Sequence, residues 1–480
     1  MASVDPIQEA FTQAKQAFYN KIKDRGQYKE ILTTTTMDDV YKTATKLQEE
    51  VSAKNRGLRY LKKIEPFLSR LKSFDSVIDT GVSAKPEVLA LIWGPLKLLL
   101  IWSCELNAAR DKIADTLVKI AYTLPQFDVV VQVFEDYEMV KTALALVYED
   151  ILDFYRVSFD FFHIKMWKEL FKPLWPSHET KIDLVIENLK KHSDLLRDEV
   201  TVLDIKEARE ARARSFEHFD KTKTFQERQK FEILRARILP STYDGRLDWL
   251  RNRSVAGCAK WLFRDKEFCE WLDFSKKTAT WFWLHGIPGA GKTYLCAAVL
   301  DHVRKQHRTL FAFVSHTEPK SHMAISLFHS FIFQAADEDD KFQQLLLESK
   351  ERELRGNTAH ASELLKTFLQ TNGHTYIIID GIDEMEGGER HILLHRLNEL
   401  SKDCDDVRVL ISSRTEDDIT RWIEPKATGI RVDHRNSGSI QKYVDQRSQT
   451  WLAKYYPDSN ADSDINGLLY PLSANAEGEP

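Results

Sequence analysis

Over the first two hundred residues apolar positions recur every three or four, with no long alternation of period two, so the pattern predicts helix after helix. Ile7, Phe11, Ala14, Phe18 and Ile22 fall on one helical face, and longer periodic stretches follow over 60–78, 88–122, 129–162 and 182–203. Gly81, Pro86, Pro125, Pro173 and Pro176 lie between these stretches and read as breakers. Residues 1–203 therefore predict an all-helical bundle, and no catalytic constellation shows in it. Residues 204–250 change character: charges alternate in sign and apolar residues are sparse. That predicts a solvated connecting helix stopping near Pro240 and Gly245, with too few apolar positions for the heptads of a coiled coil. From 280 onward, short apolar runs (280–285, 310–315, 376–380, 408–412 and 429–432) alternate with amphipathic stretches such as 323–335 and 390–400. Strand and helix in alternation predict a parallel sheet covered by helices, an α/β domain over 251–435. Residues 436–480 read as the start of a further helical region.

One segment invites a different reading. Residues 88–104, VLALIWGPLKLLLIWSC, are strongly apolar but span only about 17 positions, at the lower limit for crossing a bilayer. Pro95 and Lys97 fall near the middle, where both are costly in lipid. The segment is expected to be a buried bundle helix, with membrane contact in an activated state as the alternative. Composition adds little against this: 43% hydrophobic and 29% charged residues, net charge −5, describe an ordinary globular chain with no global attraction for nucleic acid. The five cysteines are scattered without CxxC spacing, which suggests neither a zinc site nor disulfides and fits a reducing, cytoplasmic setting. No secretory signal is visible at the N-terminus.

Chemistry concentrates in the second half. The first apolar run, TWFWLH, leads into Gly286, Ile287, Pro288, Gly289, Ala290, Gly291, Lys292 and Thr293, and a helical pattern begins at Tyr294. This is GxxxxGK[ST] between a strand and a helix, the context a phosphate loop needs. Glycines let successive N–H groups converge on phosphate oxygens, and the helix start adds its positive end. Lys292 can reach the β- and γ-phosphates, and the Thr293 hydroxyl can ligate Mg²⁺. A second run, YIIIDGIDEM, ends a buried strand on Asp380, which is placed to hold Mg²⁺ through water. Asp383 and Glu384 follow a glycine turn, and one of them, Glu384 by preference, could orient or deprotonate the attacking water. The third, VRVLISSR, brings Ser412, Ser413 and Arg414 to the same edge, where Arg414 could sense the γ-phosphate or bond a neighbouring element.

These three motifs, in this order, resemble the NACHT group of STAND NTPases. Gly381 after the aspartate, and the acids Asp383 and Glu384 downstream, look like that group rather than plain AAA+ proteins. The lead-in GCAKWLFRDKEFCEWL, with Cys258, Trp261, Leu262, Phe268 and Trp271, resembles the nephrocystin-like module of filamentous fungi. The helical region resembles an uncharacterised domain that precedes such modules. The resemblance implies a switch that binds ATP or GTP with Mg²⁺, hydrolyses it slowly, and on exchange of diphosphate for triphosphate forms a homo-oligomer. Oligomerisation would bring helical effector domains together to engage a downstream signalling protein, as in fungal non-self recognition or regulated cell death. NSGSIQKYV at 436–444 looks like the start of the family's helical lid, with Ser439 where an aspartate is usual. The sequence runs out at Pro480, so the expectation is a chain cut before the winged helix, its nucleotide-contacting histidine and the sensor repeats.

Other readings find less. His391 and His395 lie one helical turn apart but lack an HExxH frame or a third ligand. The acidic run at 336–341 lacks the spacing of a calcium loop and reads as a helix boundary. No GxSxG elbow occurs. A scaffold that binds nucleotide without significant hydrolysis, a membrane-active helical effector and a small-molecule kinase on the same core are the competing functions.

Overall fold

The structure, a computed structural model, describes residues 37–52, 58–81, 86–124, 137–196, 202–255, 257–276, 278–316 and 323–455, with a few isolated positions besides. The periodic face at Ile7–Ile22 and the stretch after 455 lie outside the described residues. The chain divides into two compact units, Met1–Gln226 and Glu227–Pro480. The division falls within the charged stretch expected as a linker.

The first unit is helical: α1 (Met37–Ser52), α2 (Leu58–Gly81), α3 (Pro86–Cys104), α4 (Asn107–Thr123), α5 (Tyr137–Phe162), α6 (Trp167–Leu195) and the beginning of α7 (Val202–Ile238). Helix α3 is apolar nearly all round, which suits a helix enclosed by others rather than one with a wet face. Val88, Leu91, Ile92, Trp93, Leu96, Leu99 and Leu100 are all fully buried. Its neighbours supply the few polar partners it needs: Trp93 Nε1 donates to Asp75 at 3.2 Å, and the Tyr148 hydroxyl donates to the Val88 carbonyl at 3.2 Å. No helix among the described residues is long and apolar enough to cross a membrane.

Pro173 and Pro176 do not break the chain. Helix α6 runs through both. An interior proline costs about 3 kcal/mol, and here the packing around it is dense. Phe171 and Trp175 stack with ring centroids 5.0 Å apart, and Phe161 meets both edge-on at 5.5 and 5.2 Å. Burial of several aromatic side chains outweighs the lost backbone bond.

The sign-alternating stretch after 204 is helical, yet it is not solvated throughout. Arg212 on α7 reaches three carboxylates on α5, with Glu149 at 2.5 Å, Asp150 at 3.0 Å and Asp153 as a further close partner. Asp150 also meets His192 of α6 at 2.5 Å. Burial pushes the Asp150 carboxyl above its usual range, against the opposing pull of His192 and Arg212.

The second unit holds a five-stranded parallel sheet ordered β2-β3-β4-β1-β5. Its strands are β1 (Trp281–His285), β2 (Arg308–Phe313), β3 (Thr375–Asp380), β4 (Val407–Ser413) and β5 (Ala427–Arg431). Every residue of β3 and β4 is buried, as expected for central parallel strands with helices on both faces. Ahead of the sheet come α8 (Asp244–Arg253) and α9 (Lys266–Leu272). Around it lie α10 (Lys292–Val303), α11 (Ala324–Glu338), α15 (Gly387–Asp403), α16 (Asp417–Ile423) and α17 (Ser437–Tyr455). Between α11 and β3 the chain also forms α12 (Asp340–Glu348), α13 (Glu351–Gly356) and α14 (Thr358–Thr371), and Asp339 caps the first of these at the acidic run. At the edge strand β2, whose residues after Arg308 are buried, Gln334 of α11 accepts from Phe311 N at 3.0 Å and donates to Phe311 O at 2.8 Å, pairing backbone groups that no strand takes. The opposite end of the sheet is closed by Arg408, whose guanidinium donates to the carbonyls of Thr278, Ala279 and Lys276.

Candidate functional site

The topology makes the site. From β1 the chain crosses to the far edge at β2 and returns through β3 and β4, so β4 lies between β1 and β3. The loops after β1, β3 and β4 therefore open side by side at a switch point of the sheet, where ligands of open α/β folds bind. The loop after β1 is Gly286–Gly291, and α10 begins at Lys292. Gly289 and Gly291 have φ of +80° and +85°, the curl that lets consecutive amides face one concavity. Lys292 Nζ donates to the carbonyls of Gly286 and Ile287 at 2.8 Å each, which holds the ammonium over the loop. Burial lowers its pKa, while the nearby carboxylates of Asp383 and Asp380 oppose that. Thr293 lies in the first turn of α10.

Asp380 ends β3 and is buried. It accepts a short hydrogen bond from Ser412 Oγ of β4. Burial raises its pKa, opposed by hydrogen bonds with Ser412, Thr293 and Cys296 and by the charge of Lys292. The loop lysine, the loop threonine and the strand-end aspartate are thus in reach of one another. An oxygen donor set of one hydroxyl and one carboxylate beside a phosphate cradle is what a small hard cation such as Mg²⁺ takes. Among the described residues no group of three or more His, Cys, Asp or Glu could hold a metal by itself.

Asp383 and Glu384 follow Gly381 on one turn of 3₁₀ helix and go separate ways. Asp383 pairs with Arg414 at 3.2 Å and faces the lysine. Glu384 Oε2 accepts from the backbone N–H of His316, beyond β2, at 2.9 Å. Arg414 is half exposed, and its guanidinium is within reach of Asp383 on the neighbouring turn. His391 and His395 are 6.4 Å apart between ring centroids on α15, and His395 leans on Glu399.

Pro288, Ala290 and Tyr294 complete the loop. Tyr294 approaches Tyr443 of α17, with ring centroids 6.1 Å apart. Between them and the lead-in lies a cavity of roughly 640 Å³, bounded by Val255, Cys258, Phe263, Gly291, Tyr294 and Ile440 among others. Its size and mostly apolar wall suit a ring system extending from the phosphate loop. The sequence pointed to Cys258 and Trp261 only as a lead-in pattern. Asp433 and Asn436 touch the loop directly; Asp433 carries no local signal, and Asn436 stood out only as the first residue of the lid-like stretch.

Comparison with known proteins agrees with this geometry. Residues 257–414 match the family model described as Nephrocystin 3, N-terminal, and residues 62–208 match a domain family of unknown function. The vegetative incompatibility protein HET-E-1 of Podospora anserina is 24% identical over 236 residues, covering 45% of this chain and 17% of that protein. The chain thus spans about a sixth of that relative's length. Among solved structures, C. elegans PCH-2 aligns over 42% of this chain and 46% of its own at 14% identity and a TM-score of 0.23, too slight a likeness to weigh.

Proposed function

We propose that this chain, whose residues 257–414 match a nephrocystin-like module, is a fungal NACHT-type P-loop protein acting as a nucleotide-gated signalling switch. The observation that carries the reading is the meeting of Lys292, Thr293 and Asp380 at one sheet edge, beside a roomy apolar cavity. ATP or GTP would lie with its phosphates on the amides of Gly289–Tyr294 and its base toward Tyr294 and Tyr443. Lys292 would leave its own loop carbonyls for the phosphate oxygens. Thr293 and Asp380 are the residues that would hold Mg²⁺, which when bound offsets phosphate charge. Glu384 would orient the attacking water, and the Asp383–Arg414 pair would answer to the γ-phosphate. By analogy with the incompatibility protein it resembles, the chain would act in non-self recognition or regulated cell death. Its helical unit would serve as effector or adaptor, and the triphosphate state would favour a homo-oligomer.

One observation favours slow turnover, or holding without turnover. In the structure Asp383 is paired with Arg414 through Oδ2 and Glu384 with His316 N–H through Oε2, so each acid already has a partner that competes with water for it. Nucleotide binding by the full chain, measured with and without Mg²⁺ and followed by single-turnover hydrolysis, tests both readings. Binding retained with hydrolysis lost at least tenfold in Glu384→Gln supports the switch. Hydrolysis unchanged in that variant removes Glu384 from the mechanism, and no Mg²⁺-dependent binding removes the proposal.

A further inference from the structure

The turn between β5 and α17 grips the phosphate loop from outside the motif. Asp433 Oδ1 accepts from Ile287 N at 2.9 Å, and its Oδ2 takes Arg431 Nε at 2.5 Å. Burial pushes this carboxyl up, but Arg431 and the Ile287 N–H outweigh it and hold it below its usual range. Asn436 Nδ2 donates to Ala290 O at 2.7 Å, while its Oδ1 accepts from Trp261 Nε1 at 3.0 Å. Both side chains are buried. The approach is close enough that a methyl on Gly286 would stand 2.2 Å from Asp433 Oδ1, and one on Gly291 2.5 Å from Asn436 Nδ2.

Planarity of the peptide bond turns these contacts into orientation. In a trans peptide the C=O of one residue and the N–H of the next point opposite ways. With Ala290 O drawn out onto Asn436, the N–H of Gly291 faces the concavity of the loop. With Ile287 N–H drawn out onto Asp433, the carbonyl of Gly286 faces inward, where Lys292 takes it. Asn436 is followed at once by α17, and that helix is stapled to the lead-in: Ser439 Oγ donates to Cys258 O, and Cys258 Sγ to Ser439 O at 3.4 Å. Ile440 and Tyr443 of α17 line the cavity.

We propose that Asp433 and Asn436 are positioning residues that set the peptide planes of the phosphate loop and transmit its loading to α17. This rests on the reading of the loop as a nucleotide site. Loading recruits Lys292 away from Gly286 and Ile287, which shifts the peptides that Asp433 and Asn436 hold, and α17 moves with the turn.

The test uses the full chain, Mg²⁺ with ATP or GTP, and hydrogen exchange of residues 437–455. In the unaltered protein, nucleotide should change exchange across α17. Asn436→Asp keeps the shape and the acceptor for Trp261 but cannot donate to Ala290 O. It should bind at least tenfold more weakly and, at saturation, lose the exchange response. Trp261→Phe, which removes the indole donor together with part of the ring, should weaken binding about threefold. Asp433→Asn, which keeps an acceptor for Ile287 N–H, should retain more binding than Asp433→Ala. If Asn436→Asp binds and responds like the unaltered protein, or if nucleotide binds the unaltered protein without changing α17, the coupling is refuted. If the unaltered protein binds no nucleotide, the underlying site reading falls as well.

Discussion

Replacing Gly291 by alanine puts two separate costs on one atom. The first is conformational: Gly291 has φ of +85°, and a left-handed residue with a Cβ costs about 1–2 kcal/mol. The second is steric, because the new methyl would lie 2.5 Å from Asn436 Nδ2 and must expel that side chain. Asn436 then gives up its bonds to Ala290 O and Trp261 Nε1, each worth about 1 kcal/mol. The sum is about 3–4 kcal/mol. Gly289 provides the control. Its φ is +80°, but a methyl there meets nothing within 4 Å, so Gly289→Ala should cost only the conformational part, about 1–2 kcal/mol. Urea unfolding followed by tryptophan fluorescence measures the difference, Trp283 being buried in the sheet. With a slope of about 2 kcal/mol per molar, the two variants should differ in midpoint by roughly 1 M at equal slope. In an Asn436→Ala background the extra penalty of Gly291→Ala should vanish, leaving both glycine variants alike. Equal midpoints for Gly291→Ala and Gly289→Ala in the unaltered background would mean that Asn436 does not crowd Gly291.

Three further outcomes follow from buried charges. A carboxyl whose pKa is raised on folding, like Asp380, carries no cost below its unfolded pKa and a full cost above its folded one. Asp380→Asn should therefore raise the melting temperature of the nucleotide-free chain at pH 7 while abolishing Mg²⁺-dependent binding. Mg²⁺-dependent binding itself should weaken as pH falls, by about tenfold per unit below the folded pKa, as protonated Asp380 loses the metal. In the helical unit, Arg212→Ala leaves Glu149, Asp150 and Asp153 without their shared cation. It should cost about 3–5 kcal/mol in denaturant unfolding, whereas a solvated arginine would cost almost nothing.

The sheet and the phosphate loop were legible because their signals are contiguous. Five apolar runs lie within one or two residues of the observed strands, and Gly286–Thr293 declares itself by spacing alone. Asp380 was legible for a related reason: a strand that ends on a carboxylate delivers it to the sheet's working edge. What was missed depends on distance along the chain. Asp433 and Asn436 lie more than a hundred residues from the loop they hold, in a turn without periodicity, and only the folded sheet brings them to Gly286 and Gly291. Pro173 and Pro176 read as breakers because a proline's local cost is visible in sequence and the aromatic packing that overrides it is not. Arg212 read as one charge in a solvated run, since nothing near it in sequence announces three acids on another helix.

The proposed switch depends first on Gly286–Thr293 with Asp380 holding a nucleoside triphosphate. Calorimetric titration of the full chain with Mg²⁺ and ATP or GTP tests it most directly, with Lys292→Ala as comparison. Saturable one-site binding is expected that needs Mg²⁺ and weakens at least a hundredfold in Lys292→Ala, while Lys305→Ala, at a lysine beyond the end of α10, leaves it unchanged. Binding of equal strength in Lys292→Ala, or none in the unaltered chain, would contradict it.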